Sequence, residues 1–290
     1  IYCASIFLIT QIYHVNAYNH ELIILCLIGI APFVYFLRSV AFGLLFMAGF
    51  YIWLAFFAFR ALEFDNSSNA FVGLPVLFLV TSVLIFFVGG FHYLLNGGEK
   101  IARVFRLTAI QFAMIMLLFL TFGLFSGKVD SYTISDYVKQ AYGQLVMVIV
   151  GVSVVGVLGG IVYLGKNPAK SSEVMIETLM GLAILVLCII FALVPRTTDV
   201  FTYVFNLVTI GMMLGVFVIG YKRSDMNLVN TSILYISIYV FARYVDFFWD
   251  ALDRSLFFII GGALLVGGGM FLENQRRRLK LLIQSHEQHE

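Results

Sequence analysis

The run Leu74-Pro75-Val76-Leu77-Phe78-Leu79-Val80-Thr81-Ser82-Val83-Leu84-Ile85-Phe86-Phe87-Val88 decides the fold. It sits inside the stretch 66–98, which carries no formal charge. Its apolar character is continuous rather than alternating. That pattern fits a helix in hydrocarbon, not a barrel strand that turns every second side chain to a polar lumen. We place a span at 70–95.

Reading outward, similar runs recur between short polar breaks. They cover 1–14, 21–37, 39–59, 107–127, 142–165, 175–194, 200–221, 226–243 and 255–272. Most approach the length of about 20 apolar residues that crosses a bilayer as helix. The expected fold is therefore an all-α, polytopic transmembrane helix bundle of about ten spans. It occupies 1–272, and 273–290 forms a basic cytoplasmic C-terminal tail. Residues 1–13 would rise only about 20 Å as a helix, short of a hydrocarbon core of roughly 30 Å. The expectation is that the N-terminus is truncated within a span.

Composition agrees. Of 290 residues 61% are hydrophobic and 12% charged, against about 25% charged in soluble domains. A soluble enzyme, a disordered chain and a secreted disulfide scaffold are excluded on that ground. The net charge of +2 gives no basic field for nucleic acid. Cys3, Cys26 and Cys188 lie in apolar runs without a CxxC spacing. They read as free buried thiols, and no metal or cofactor is expected.

The cations give an orientation. With spans alternating, Arg38, Lys100, Arg103, Arg106, Lys166, Lys170, Lys222, Arg223, Arg276, Arg277, Arg278 and Lys280 fall on one side. Arg60, Lys128, Lys139, Arg196, Arg243 and Arg254 fall on the other. A two-to-one excess marks the first side as cytoplasmic. Arg38 either snorkels to the headgroups or caps a tight helical hairpin. Together with Arg276, Arg277 and Arg278 it is expected to contact lipid headgroups, so membrane lipids are the expected partner.

The densest polar cluster is Arg243-Tyr244-Val245-Asp246-Phe247-Phe248-Trp249-Asp250-Ala251-Leu252-Asp253-Arg254. Continued as helix, it puts Arg243, Asp246, Asp250 and Asp253 on one face. Asp250 and Arg254 sit at i and i+4. A second polar group, Gln11-Ile12-Tyr13-His14, ends the first run on the same expected side. The candidate polar site is therefore Gln11, Tyr13, His14, Arg243, Tyr244, Asp246, Asp250, Asp253 and Arg254, at the extracytoplasmic mouth. Two readings stand: an aromatic anchor with self-satisfied ion pairs, or a site for an ion, a substrate or a partner. Three carboxylates could hold Ca²⁺, but the two arginines argue against a pure cation site. No Ser-His-Asp, HExxH or phosphate-cradling glycine motif is present.

His92 reads as a solitary interfacial histidine. It lies on the opposite side from His14 and His20, which leaves bis-His haem little support. Glu177 reads as the acid nearest the membrane interior, either at a solvated helix end or as a proton carrier, the first reading being preferred. Gly156-x-x-x-Gly160, Gly211-x-x-x-Gly215 and the glycines of 261–269 suit close helix packing. A protein partner would seat there.

Two blocks carry a resemblance. One is Ala242-Arg243-Tyr244, Asp246, Phe248-Trp249, Leu252-Asp253-Arg254-Ser255-Leu256-Phe257-Phe258, Gly261-Gly262, Leu272-Glu273 and Arg276-Arg277-Arg278-Leu279. The other is Gln11-Ile12-Tyr13-His14 with Tyr35-Phe36-Leu37-Arg38-Ser39. Together they resemble the bacterial membrane proteins grouped as domain of unknown function 2157. The resemblance covers both ends by motif and the middle by hydropathy. It implies a bacterial inner-membrane protein with a cytosolic N-terminal segment, and it implies no activity. The expected function is non-enzymatic, a transporter-like protein or a complex subunit. The alternative is a membrane enzyme acting on a lipid-linked or envelope substrate, with His14 as base and Arg243 holding an anion.

Overall fold

The computed structural model describes residues 20–61, 70–92, 99–123, 171–193, 200–248 and 254–287, with isolated residues among 5–12 and 151–156. The described residues form eight helices and no strand. They are α1 (His20–Leu37), α2 (Val40–Ala61), α3 (Ala70–Phe91), α4 (Glu99–Leu120), α5 (Ser171–Leu193), α6 (Val200–Lys222), α7 (Met226–Phe248) and α8 (Arg254–Glu287).

Among them α2, α4, α6 and α7 are long and apolar enough to cross a membrane. The other four hold shorter apolar stretches. The helical membrane class stands, but the expected ten spans do not emerge. The first and sixth expected spans, 1–14 and 142–165, fall almost wholly outside the described residues. In α8 the apolar stretch Phe258–Phe271 is too short to span by itself. That helix nevertheless runs 34 residues, straight through the expected tail. Glu273 and Arg277, one turn apart at 3.1 Å, support its continuation as helix. α4 begins at Glu99 rather than 107. Its first two turns are amphipathic: Lys100 and Arg103 face out, while Ile101, Ala102, Val104 and Phe105 are buried. Charge there marks one face of a helix, not its end.

The chain divides into two units, residues 1–205 and 206–290, with the boundary inside α6. In the first unit α4 packs on α3 and α2, α1 on α2, and α5 on α3. α1 and α2 form a tight antiparallel hairpin. Its tip is Arg38, at φ 46°, followed by Ser39, whose carbonyl accepts the Gly43 amide at 3.1 Å. Leu27 lies so close to Gly49 that a Cβ there would meet its Cδ2 at 2.9 Å. α2 and α4 run parallel, with Val104 against Gly43, Phe105 against Phe46 and Phe112 against Tyr51. The α1–α2 tip, the end of α3 and the starts of α4 and α5 thus lie at one end of this unit.

Hydroxyls inside the helices are satisfied locally. Thr81, Ser82 and Thr108 donate to the carbonyls of Leu77, Phe78 and Val104 at 2.7–2.8 Å. Such back-bonding lets a short polar side chain enter an apolar helix without an orphaned group. One cross-link extends it at mid-helix. Ser82 spends its proton on Phe78, so its oxygen accepts the Tyr51 hydroxyl at 3.1 Å.

In the second unit α6 and α7 form a hairpin. Ser224 takes φ 53°, and the Asp225 amide bonds back to the Gly220 carbonyl at 2.9 Å, closing α6. Asp225 then caps α7, its Oδ1 accepting the Asn227 amide at 3.0 Å. α8 packs on α7.

Candidate functional site

The expected cluster is brought together only in part. Arg243 lies near the end of α7 and donates through Nη1 to Asp246 Oδ2 at 2.6 Å. Its guanidinium also rests over the Tyr239 ring, 5.7 Å from the centroid. Tyr239 in turn donates its hydroxyl to Asn206 Oδ1 of α6 at 2.8 Å. Ser232, Tyr235, Tyr239, Arg243 and Asp246 are spaced by three or four residues, so they share one face of α7. That polar stripe covers about 21 Å at 1.5 Å per residue. Ser232 and Tyr235 at its inner end are buried, as is Thr209 one turn along α6 from Asn206.

Tyr244 belongs elsewhere. It is buried on another face of α7, tilted against Phe248 at 5.2 Å and set against Gly261 of α8. A Cβ at Gly261 would stand 3.1 Å from the Tyr244 ring. Here the expected small-residue packing is visible inside the chain. A Cβ added at Gly211, Gly262, Gly267, Gly268 or Gly269 would meet no atom of the described residues within 4 Å.

Gln11, Tyr13, His14, Asp250 and Asp253 lie outside the described residues. Arg254 opens α8, but its side chain is outside them too, as are those of Arg276 and Arg278. Arg38 and Arg277 are exposed. Tyr239 and Asn206 had escaped the sequence reading because neither is charged. The signal that finds Tyr239 is its place four residues before Arg243 on one face of α7; Asn206, on α6, has no such local signal.

A second polar group stands in the first unit. Glu177 is not at a solvated helix end. It accepts a charge-assisted hydrogen bond from Arg106 Nη2 across α5 and α4, and the two side chains are 11% and 15% exposed. The Arg106 guanidinium lies 4.6 Å over the Phe86 ring of α3. The pair therefore ties three helices. His92 is not a solitary interfacial side chain either. It is buried at the end of α3 and bonds through both ring nitrogens. Nδ1 lies 2.8 Å from the Val88 carbonyl and Nε2 lies 3.0 Å from the Tyr35 hydroxyl. A carbonyl only accepts, so Nδ1 carries the proton. In the neutral ring Nε2 is then the acceptor, and Tyr35 is its donor.

Among the described residues no group of three or more His, Cys, Asp or Glu could hold a metal ion. Cys26 and Cys188 are buried and form no disulfide among the described residues. Comparison of the chain with protein-family models, curated proteins and solved structures returned no match.

Proposed function

We propose that this chain is a multi-spanning bacterial inner-membrane protein of the transporter-like kind, with a polar ligand site at the Arg243 end of α6 and α7. The observation that carries this reading is the polar stripe of α7. Asn206, Tyr239, Arg243 and Asp246 are joined by hydrogen bonds and a ring contact, in two helices that are each long and apolar enough to span. A charged side chain at membrane depth costs about 2.5–3.5 kcal/mol even on the gentlest insertion scale. Such groups therefore stay where they line a path or hold a ligand.

The cation excess supports an arrangement with the Arg38 end cytoplasmic and the Arg243 end extracytoplasmic. Exposed Arg38 and Arg277 support contact with anionic lipid at the cytoplasmic face. The full count of about ten spans, the likeness to domain of unknown function 2157 and a protein partner at the open glycines of α8 belong to the same reading. The enzymatic alternative has less behind it. Its expected base, His14, lies outside the described residues, so no geometry supports a base beside Arg243.

The test is flux in proteoliposomes carrying the purified full chain. Gradients of protons, chloride, phosphate and acetate are imposed in turn, with pyranine or ion-selective readout. The wild type dissipates at least one gradient and Arg243→Ala loses that flux. Wild-type vesicles as tight as empty ones to all four would overturn the reading.

A further inference from the structure

We propose that His92 is a proton-uptake site, reached from the surface through the Tyr35 hydroxyl and kept able to accept charge by the Arg106–Glu177 ion pair. It lies in the first unit and stands independently of the α7 stripe.

Among the described residues, the groups that touch the imidazole suit a cation. Its Nδ1–H already donates to the Val88 carbonyl, in the last turn of α3. That is the negative end of the helix dipole, where a protonated histidine is favoured. The Tyr35 ring is stacked on it, centroids 5.7 Å apart, and the Phe105 ring lies tilted at 5.1 Å. Both aromatic faces attract a cation. Nε2 holds the open lone pair and points at the Tyr35 oxygen.

Tyr35 supplies the route. His92 is 6% exposed, whereas Tyr35 is 49% exposed. A proton from hydronium bonds to the Tyr35 oxygen as the tyrosine's own O–H proton passes to Nε2. Two O–H bonds break, one in hydronium and one in the tyrosine; one O–H and one N–H bond form, and water leaves. The product is imidazolium, with Nδ1–H on Val88 and Nε2–H donating to the now-accepting Tyr35 oxygen. No heavy atom has to move, so the site is ready in both states.

The charges around the ring decide whether it fills. On α1 the cation is Arg38, exposed three residues beyond Tyr35. On α4 exposed Glu99, Lys100 and Arg103 lie in the first turns. Arg106 directly follows Phe105, the residue against the ring. Gly89, three residues before His92, lets Arg106 and Phe105 approach α3 closely: a Cβ at Gly89 would meet Arg106 Cγ at 2.8 Å and Phe105 Cβ at 3.1 Å. Arg106 is the like charge that would oppose an imidazolium. Glu177 on α5 compensates it. The ion pair is thus a positioning and charge-setting device for the histidine.

The test is 15N-imidazole NMR of the full chain in nanodiscs, with all five histidines labelled and His92→Gln identifying the resonance. The expected neutral form is the Nδ1–H tautomer, converting reversibly to imidazolium on acidification. Glu177→Gln lowers the imidazolium-to-neutral ratio at a fixed pH by roughly threefold, and Arg106→Gln raises it by roughly threefold, since the two variants shift the local charge in opposite directions. Tyr35→Phe slows exchange of the Nε2 proton. Opposite signs separate charge coupling from a merely structural role, which would move both ratios the same way. An Nε2–H tautomer, a ring that stays neutral under acid that protonates the other four, or shifts of one sign in both variants would overturn the proposal.

Discussion

Replacing Glu177 by Leu leaves Arg106 with its charge in place and its carboxylate gone. Side-chain exposures of 15% and 11% put both groups largely out of water. Removing one partner of such a pair typically costs about 3–5 kcal/mol. The residual exposure, and the Phe86 ring that still faces the guanidinium, place Glu177→Leu at about 3 kcal/mol. Arg106→Met also loses that ring contact, worth about 1 kcal/mol, and so falls near 4 kcal/mol. The double variant buries no charge and puts apolar side chains between α4 and α5, so it should sit within about 2 kcal/mol of wild type. The coupling energy in the cycle is then about 5 kcal/mol, far outside additivity. The assay is reversible unfolding of the full chain in mixed micelles, titrated with denaturing detergent, with all four proteins read by the same probe. Losses that simply add to within about 0.5 kcal/mol would refute the argument, because they would mean that the two groups do not depend on each other.

Three further outcomes follow from the same geometry and are read by the same unfolding assay. Gly89→Val forces a branched side chain to within 3.2 Å of the Arg106 amide nitrogen; a loss of about 1–3 kcal/mol is expected, and no loss would contradict the close approach of α3 and α4. Ser82→Ala should cost more than Tyr51→Phe. The first strands a buried tyrosine O–H, at about 1–3 kcal/mol, whereas the second leaves Ser82 still bonded to Phe78, at about 1 kcal/mol; the reverse order would show the donor direction to be wrong. Ser224→Gly should stabilise the α6–α7 turn by up to about 1 kcal/mol by removing the Cβ from a left-handed residue, and a loss would refute that account.

The helical class was legible because one rule dominates in hydrocarbon. Backbone groups must pair within their own segment, so long uncharged runs become helices whatever their side chains. The hairpin at Arg38 and the breaks before α3 and after α6 could be read from the same runs. The start of α4 is not legible, because Lys100 and Arg103 interrupt the apolar run as a loop would, yet they form the outer face of a helix whose inner face is Ile101, Ala102, Val104 and Phe105. The sites divided in a similar way. Arg243 and Asp246 stood out because they are charged and close in sequence. The buried partnerships of His92 and Glu177 are not legible in the sequence, because Tyr35 and Arg106 are 57 and 71 residues away. No local pattern encodes a contact made by the end of one hairpin against the start of another helix.

Polar groups in such a bundle have two uses, and the residues here can be sorted between them. Helices in lipid gain little from apolar association, so small residues and hydrogen bonds supply adhesion. Thr81, Ser82, Thr108 and Ser237 serve that end, or merely satisfy themselves: each returns its proton to its own helix and has one bonding state. The Tyr51–Ser82 contact is adhesive in the same sense, since neither hydroxyl changes charge in the working range of a cell. His92, Glu177, Arg106, Asp246 and Arg243 differ in kind, because His92, Glu177 and Asp246 can change charge and Arg106 and Arg243 are fixed charges beside them. A fixed guanidinium next to a titratable carboxylate is a poor choice for adhesion alone. An apolar pair of similar volume would hold α4 to α5 at least as well. What the charged pair adds is a local potential that a proton elsewhere on the same helices can feel. That is why the buried imidazole beside it, rather than the pair itself, is where a change of state would register.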